Sequence, residues 1–293
     1  LEKTEQKLRA IARKFFESGR GKLFIGYRSR GTPARSGPAF IRNASDCEKL
    51  VYNEFCGQNL VALLPREIPS EGVIGIAVKG CDARAIVELV KQNQVRRESL
   101  YVVGLPCGGQ IDIRKPGDRK REDRLLSKCY RCRHPRDFRY DAVVEVMAPQ
   151  TFQAPEEVLS LETIEKMTPA ERKRFWEAQF RQCLRCFACR SVCYGCYCRQ
   201  CILLAKEPRW LRKTGDPEEN RFFHMIRAMH MAGRCIECGE CERVCPVEIP
   251  LGLLARKIQE SVAEALKQEP PGIDEEEKPA LLCFDPGDRD PSR

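Results

Sequence analysis

Histidine is scarce in this chain, with three in 293 residues against 51 basic and 42 acidic side chains. No Ser–His–Asp order and no P-loop accompany it, so little in the sequence points to nucleophilic or acid–base catalysis. Long apolar runs are missing too. None approaches the roughly 18 residues of a membrane-spanning helix, so no span is expected. Residues 2–18 form a charged, amphipathic pattern without an apolar h-region, and no secretory leader is expected there. No G-x-G-x-x-G follows a predicted strand, and no zinc-finger or RNA-binding signature appears. Nucleic acid is therefore not an expected partner, although the formal net charge is +9.

Cysteine, by contrast, is abundant, with 18 in all. A small secreted protein of this richness would be a disulfide framework, but the length and the spacing of these cysteines argue otherwise. CLRCFACRSVCYGCYCRQC runs from Cys183 to Cys201, and CIECGECERVCP from Cys235 to Pro246. Each begins with C-x2-C-x2-C-x3-C, the spacing by which three thiolates wrap one cubane while the fourth reaches the other cluster. One [4Fe–4S] cluster is thus expected on Cys183, Cys186, Cys189 and Cys245, and a second on Cys235, Cys238, Cys241 and Cys193. Paired zinc ribbons are the bland alternative, yet zinc knuckles use two pairs and have no need of a third thiolate at the same step. Cluster charge is negative once the thiolates are counted, so the basic excess reads as compensation plus a docking surface. Cys196, Cys198 and Cys201 are surplus, and are either buried thiols or ligands of a further centre. Cys47 and Cys283 read as ordinary thiols.

Upstream, KLFIGY (22–27), GVIGIAV, LYVVGLPC and DAVVEV read as strands, with CDARAIVELVKQNQV as a helix between the second and third. Strands apolar on both faces and separated by a helix predict a small, mainly parallel α/β sheet. The stretch DCEKLVYNEFCGQNLVALLP suggests a helix, RSRGTPARSGP a loop, and IDIRKPGDRKREDR a solvated loop. Cys81 and Cys107 then fall at the carboxyl ends of neighbouring parallel strands, where open α/β sheets place their sites. Cys129 and Cys132 form a C-x2-C pair able to close over the same edge. A third cluster is expected on these four, with Cys56 as an alternate ligand and zinc as the competing metal. On this reading residues 1–148 would hold a cluster by themselves.

The remaining chain divides into a linker (149–165), a helical unit (166–268) and an extended tail (269–293) lying over another surface. Thr168, Pro169 and Glu171 compose a capping box, and Asp216-Pro217 starts a second helix. Phe222, Phe223, Ile226 and Met229 are expected to face inward on that helix, as are Leu254, Ile258, Val262 and Leu266 on the last. His224 and His230 read as packed or surface imidazoles, and His134 as a candidate zinc ligand beside Cys132. Gly108-Gly109 and Lys79-Gly80 read as tight turns.

VKGCDARAIVEL, VGLPCGG and CYRC followed by DAVVEV resemble the core of the beta subunits of deazaflavin-reducing hydrogenases and formate dehydrogenases. FHMIRAMHMAGRCIECGECERVCPVEIPLGLLARK resembles the α-helical, ferredoxin-like dicluster domain of heterodisulfide reductase-type and sulfhydrogenase-type subunits. The resemblance covers most of the chain, core first and dicluster domain second. Two departures stand out. Tyr194, not proline, follows Cys193, and the N-terminal domain is short for the family's flavin site. The resemblance implies an iron–sulfur electron-transfer subunit of a cytoplasmic, anaerobic oxidoreductase complex. Its partners would be heterodisulfide reductase-like, hydrogenase, formate dehydrogenase or flavin subunits. It alone implies FAD. Two alternatives stand beside this expectation: a flavin-containing subunit that itself reduces a deazaflavin or nicotinamide, and a zinc-stabilised scaffold or nucleic-acid adaptor.

Overall fold

In the computed structural model, which describes residues 2–32, 34–64, 72–115, 117–132, 138–145, 151–156, 158–212 and 215–283, helix α1 (Glu2–Glu17) comes first. Leu8, Ala12 and Phe15 recur on one of its faces and are buried, the spacing by which an amphipathic helix covers a sheet. Phe15 stacks on Tyr101 at 5.1 Å and meets Phe24 edge-on at 5.8 Å. Next come β1 (Gly21–Ser29), β2 (Ser36–Ile41), β3 (Val73–Val78), α2 (Gly80–Lys91), β4 (Leu100–Gly104) and β5 (Ala142–Val143). The sheet order is β2-β1-β3-β4-β5. Every pairing but β1 with β2 is parallel, so the expected α/β architecture is present.

Three local expectations fail, each for a readable reason. The Arg/Gly/Pro loop is shorter than its composition suggests, because Ser36–Ile41 turns back as an antiparallel edge strand with Pro38 opposite Tyr27. Proline is tolerated at an edge, where its missing N–H leaves no ladder bond unmade. The helix expected after Asp46 is absent. Two 3-10 turns, Ala44–Lys49 and Leu60–Leu63, stand there instead, each opened by an asparagine side chain, Asn43 or Asn59, that accepts from the backbone. Such local side-chain bonds compete with helix continuation. Finally, the charged loop is tied at both ends. Ile111 pairs with Leu125, and Arg121 donates to the Gly108 and Gly109 carbonyls at 2.9 and 3.2 Å.

The second half is helical, with α3 (Leu161–Glu165), α4 (Pro169–Arg181), α5 (Ala188–Ser191), α6 (Pro217–His230), α7 (Glu240–Arg243) and α8 (Leu251–Leu266). α3 lies inside the expected linker, where Leu161 and Ile164 pack with Leu253 of α8. The capping box of Thr168 and Glu171 opens α4, and Asp216 accepts from the Glu218 and Glu219 amides to open α6. The faces of α6 and α8 differ from expectation. Phe223 is buried, but Phe222 and Met229 are 43% and 56% exposed. Their inward places are taken by His224 and Arg227, because that face looks onto the cysteine groups and not onto an apolar core. In α8 the buried positions are Leu251, Leu253, Ala255 and Gln259, and Leu266 is exposed. The tail covers α2: Arg84 donates to the Pro271 carbonyl at 2.7 Å, and the Gly272 amide to Glu88 at 2.8 Å.

Candidate metal centres

β3 and β4 end side by side, so the residues just past them share one edge of the sheet. Cys81 occupies the first turn of α2, whose N-terminal dipole favours negative charge. Cys107 follows β4, and Cys129 and Cys132 come from the 3-10 turn Ser127–Arg131 and its cap. All four line one partly enclosed cavity of about 570 Å³, counting its open mouth. Lys79, Arg84, Lys128 and Arg131 line it as well, a cationic shell for an anionic occupant. Burial pushes the Cys81 thiol well above the usual range and Cys132 up to about 12, with neighbouring thiols among the further causes. Thiols so placed release their protons to a metal and not to water. The Gln110 amide donates to the Cys129 sulfur at 3.3 Å, and its side chain approaches Cys107 at 3.7 Å. Cys56 is not in the cavity lining; it is packed in the sheet core.

The four thiols line one cavity, and among the described residues no three His, Cys, Asp or Glu converge as one metal ion requires. Thiols spread over one cavity suit a cubane, in which each thiolate takes its own iron. One zinc ion needs its sulfurs at about 2.3 Å from a common centre. His134 lies outside the described residues.

The two motifs of the helical half fold alike. In each, the residue two past the first cysteine (Arg185, Glu237) and the residue after the second (Phe187, Gly239) adopt left-handed backbone, with φ between 47° and 62°. These turns wrap the chain tightly and precede α5 and α7. A Cβ on Gly239 would lie 2.6 Å from that of Lys128, so glycine serves there for close approach as well as for φ. The thiols group across the motifs. After burial, the causes that shift Cys189, up to about 11, include Cys183, Cys245 and Cys186. Those that shift Cys241 upward include Cys235 and Cys193, and Cys238 likewise interacts with Cys193. A hydrogen bond from Cys196 to the Cys193 sulfur draws the Cys193 pKa below the ordinary thiol value. Backbone amides approach the sulfurs: Arg185 to Cys183 at 3.3 Å and Ile249 to Cys245 at 3.4 Å. Among the surplus cysteines, Cys196 packs on the first core, Cys201 on the second, and Cys198 is exposed.

Several residues at these centres carried no signal in the cysteine pattern. Cys238 lines the N-terminal cavity, so the two halves share a wall. Lys128 crosses that boundary, bonding the Gly57 carbonyl and Glu240 at 2.5 Å each. His224, which reads as a packing residue, is stacked on Phe180 at 5.2 Å and approaches the Cys183 sulfur with Nε2 at 3.2 Å. Burial is the chief cause of its pKa falling to about 4, so a neutral ring stands beside the sulfur. In the tautomer with the proton on Nε2 the ring donates to this sulfur, and a donor to a cluster sulfur would raise the potential. His224→Phe is therefore expected to lower the potential of the Cys183 centre alone, on the order of 60 mV, the one-electron equivalent of about 1.4 kcal/mol. Electron paramagnetic resonance during anaerobic redox titration measures this, and an unmoved potential would show that the contact tunes nothing.

The family described as "4Fe-4S binding domain" matches residues 229–250, the segment that carries Cys235, Cys238, Cys241 and Cys245. Beyond that segment the chain is similar to the F420-dependent formate dehydrogenase subunit beta of Methanocaldococcus jannaschii, with 24% identity covering 81% of this chain and 83% of the relative. It is also similar to the F420-dependent formate dehydrogenase 1 subunit beta of Methanococcus maripaludis, with 27% identity covering 83% and 84%.

Proposed function

We propose that this chain is an iron–sulfur electron-transfer subunit of an oxidoreductase complex, passing single electrons between partner subunits. The observation that carries the reading is the cavity that gathers Cys81, Cys107, Cys129 and Cys132 and has Cys238 in its wall. It supports a relay of three candidate ligand sets, in which the N-terminal four adjoin the set of Cys193, Cys235, Cys238 and Cys241 through Cys238, and Cys183, Cys186, Cys189 and Cys245 form the third. A [4Fe–4S] cluster, when bound, stores and releases one electron. The protein buries the thiolates, turns backbone amides toward them and surrounds them with Lys79, Arg84, Lys128 and Arg131. Likeness to the named relatives supports a formate-oxidising partner and F420 as acceptor. A cytoplasmic location accords with this, and among the described residues no helix is long and apolar enough to cross a membrane.

Chain purified without oxygen should carry about 12 irons and as many sulfides, the content of three cubanes, and Cys129→Ala about eight. Colourless protein holding only zinc would sink the reading. A second reading, a subunit that also holds FAD, has a candidate cleft of about 1180 Å³, counting its open mouth, lined by Arg114, Lys115, Arg119 and Arg131, the last shared with the cysteine cavity, and by Asp112, Glu242 and Glu248, which pair with Arg114 and Arg131. Acid release of a yellow chromophore from the intact chain decides it.

A further inference from the structure

Arg227 lies on α6 and is 7% exposed. Its Nη2 donates to the Cys189 carbonyl at 3.0 Å, while its Nε is buried with no hydrogen-bond partner among the described residues. Burial opposes its charge, and the largest contributions against burial come from Cys241, Cys193, Cys189 and Cys196. Cys189 is in one candidate ligand set of the helical half; Cys193 and Cys241 are in the other. His224, one turn earlier on α6, approaches the Cys183 sulfur at 3.2 Å, and Met231, one turn later, lies 3.9 Å from the Cys193 sulfur, so Arg227 stands on the helix between the two sets. Arginine cannot shed its proton, and a buried charge without a counter-charge is strongly unfavourable. Clusters held by these thiolates would supply the negative charge on either side.

We infer that Arg227 is the shared cation of the two dicluster centres, raising the electron affinity of both. The inference rests on the iron–sulfur reading above. An electron added to either centre brings negative charge into the low dielectric of the protein interior, where a nearby fixed cation lowers its energy. The same guanidinium acts on both centres, so reduction of each becomes more favourable.

The test is an anaerobic redox titration of the full chain, followed by electron paramagnetic resonance, with iron and sulfide measured on the same samples. Arg227→Gln is expected to keep its iron and to move both dicluster potentials to more negative values, and Arg227→Lys to return both toward the wild type. Unmoved potentials with iron retained would overturn the inference. So would a shift confined to the Cys183 centre, which would make Arg227 a bonding partner of the Cys189 carbonyl only. If Arg227→Gln loses iron, the lysine variant decides: recovery of iron and of both potentials supports the shared role, and loss of iron in both variants overturns it as the behaviour of a packing residue. Wild-type chain without iron or sulfide would instead defeat the relay reading itself.

Discussion

Cys193→Ala, combined with Cys196→Ala, is expected to remove about four irons per chain and to silence the centre of Cys235, Cys238 and Cys241, leaving the Cys183 centre spectroscopically intact. Cys193 follows the first motif in sequence but interacts with the thiols of the second, whereas Cys245 interacts with Cys183 and Cys189. The second substitution matters because Cys196 donates to Cys193 and could serve in its place. If the relay runs through this centre, electron flow from one end of the chain to the other should stop, while each remaining centre still reduces chemically. Loss of the Cys183 signal instead would show that each motif fills its own cluster.

The second large effect is on stability. Lys128 and Glu240 are both at least 90% buried and paired at 2.5 Å across the junction of the two halves. A fully stranded buried charge costs roughly 3–5 kcal/mol, but removing Lys128 leaves Glu240 the Arg243 guanidinium, at 2.8 Å, so the cost here is about 2–3 kcal/mol. Lys128→Met should therefore lower the unfolding free energy by that amount, and Lys128→Met with Glu240→Gln should recover much of it. The sign with pH is also set. Burial is the largest single influence on Glu240 and raises its pKa, but Lys128 and Arg243 outweigh it and hold the carboxyl down to about 2 against an ordinary 4.5. A depressed folded pKa gives stability that is full above pH 4.5 and is lost as pH falls toward 2. Acid unfolding of the wild type should show this loss and the double variant should not. Equal acid sensitivity in both would mean that the pair contributes nothing.

Much of the architecture is legible in the residues themselves. The capping boxes, the doubly apolar strands and the twin cysteine spacing are local rules with few competing solutions. Convergence of Cys81, Cys107, Cys129 and Cys132 follows from strand direction, which the apolar pattern implies. What stayed hidden depends on partners far away in sequence. His224 and Arg227 interrupt an apolar stripe on α6, and their spacing cannot reveal that a thiol group lies opposite. Phe222 and Met229 look like core residues for the same reason. Pro38 hides a strand because its tolerance depends on being at the edge. Asn43 and Asn59 divert a hydrophobic stretch from helix through bonds that only a folded backbone displays.

The wall shared through Cys238 has a consequence for maturation. A ribosome delivers Cys81, Cys107, Cys129 and Cys132 early, but Ile236, Glu237 and Cys238, which close the same cavity, emerge more than a hundred residues later. Chain ended near Ala148 lacks that side and strands Lys128 without Glu240, so the first half by itself is a poor vessel. Were a cluster held there, the ligands translated first would complete their site last, and its insertion would report that the helical half had folded.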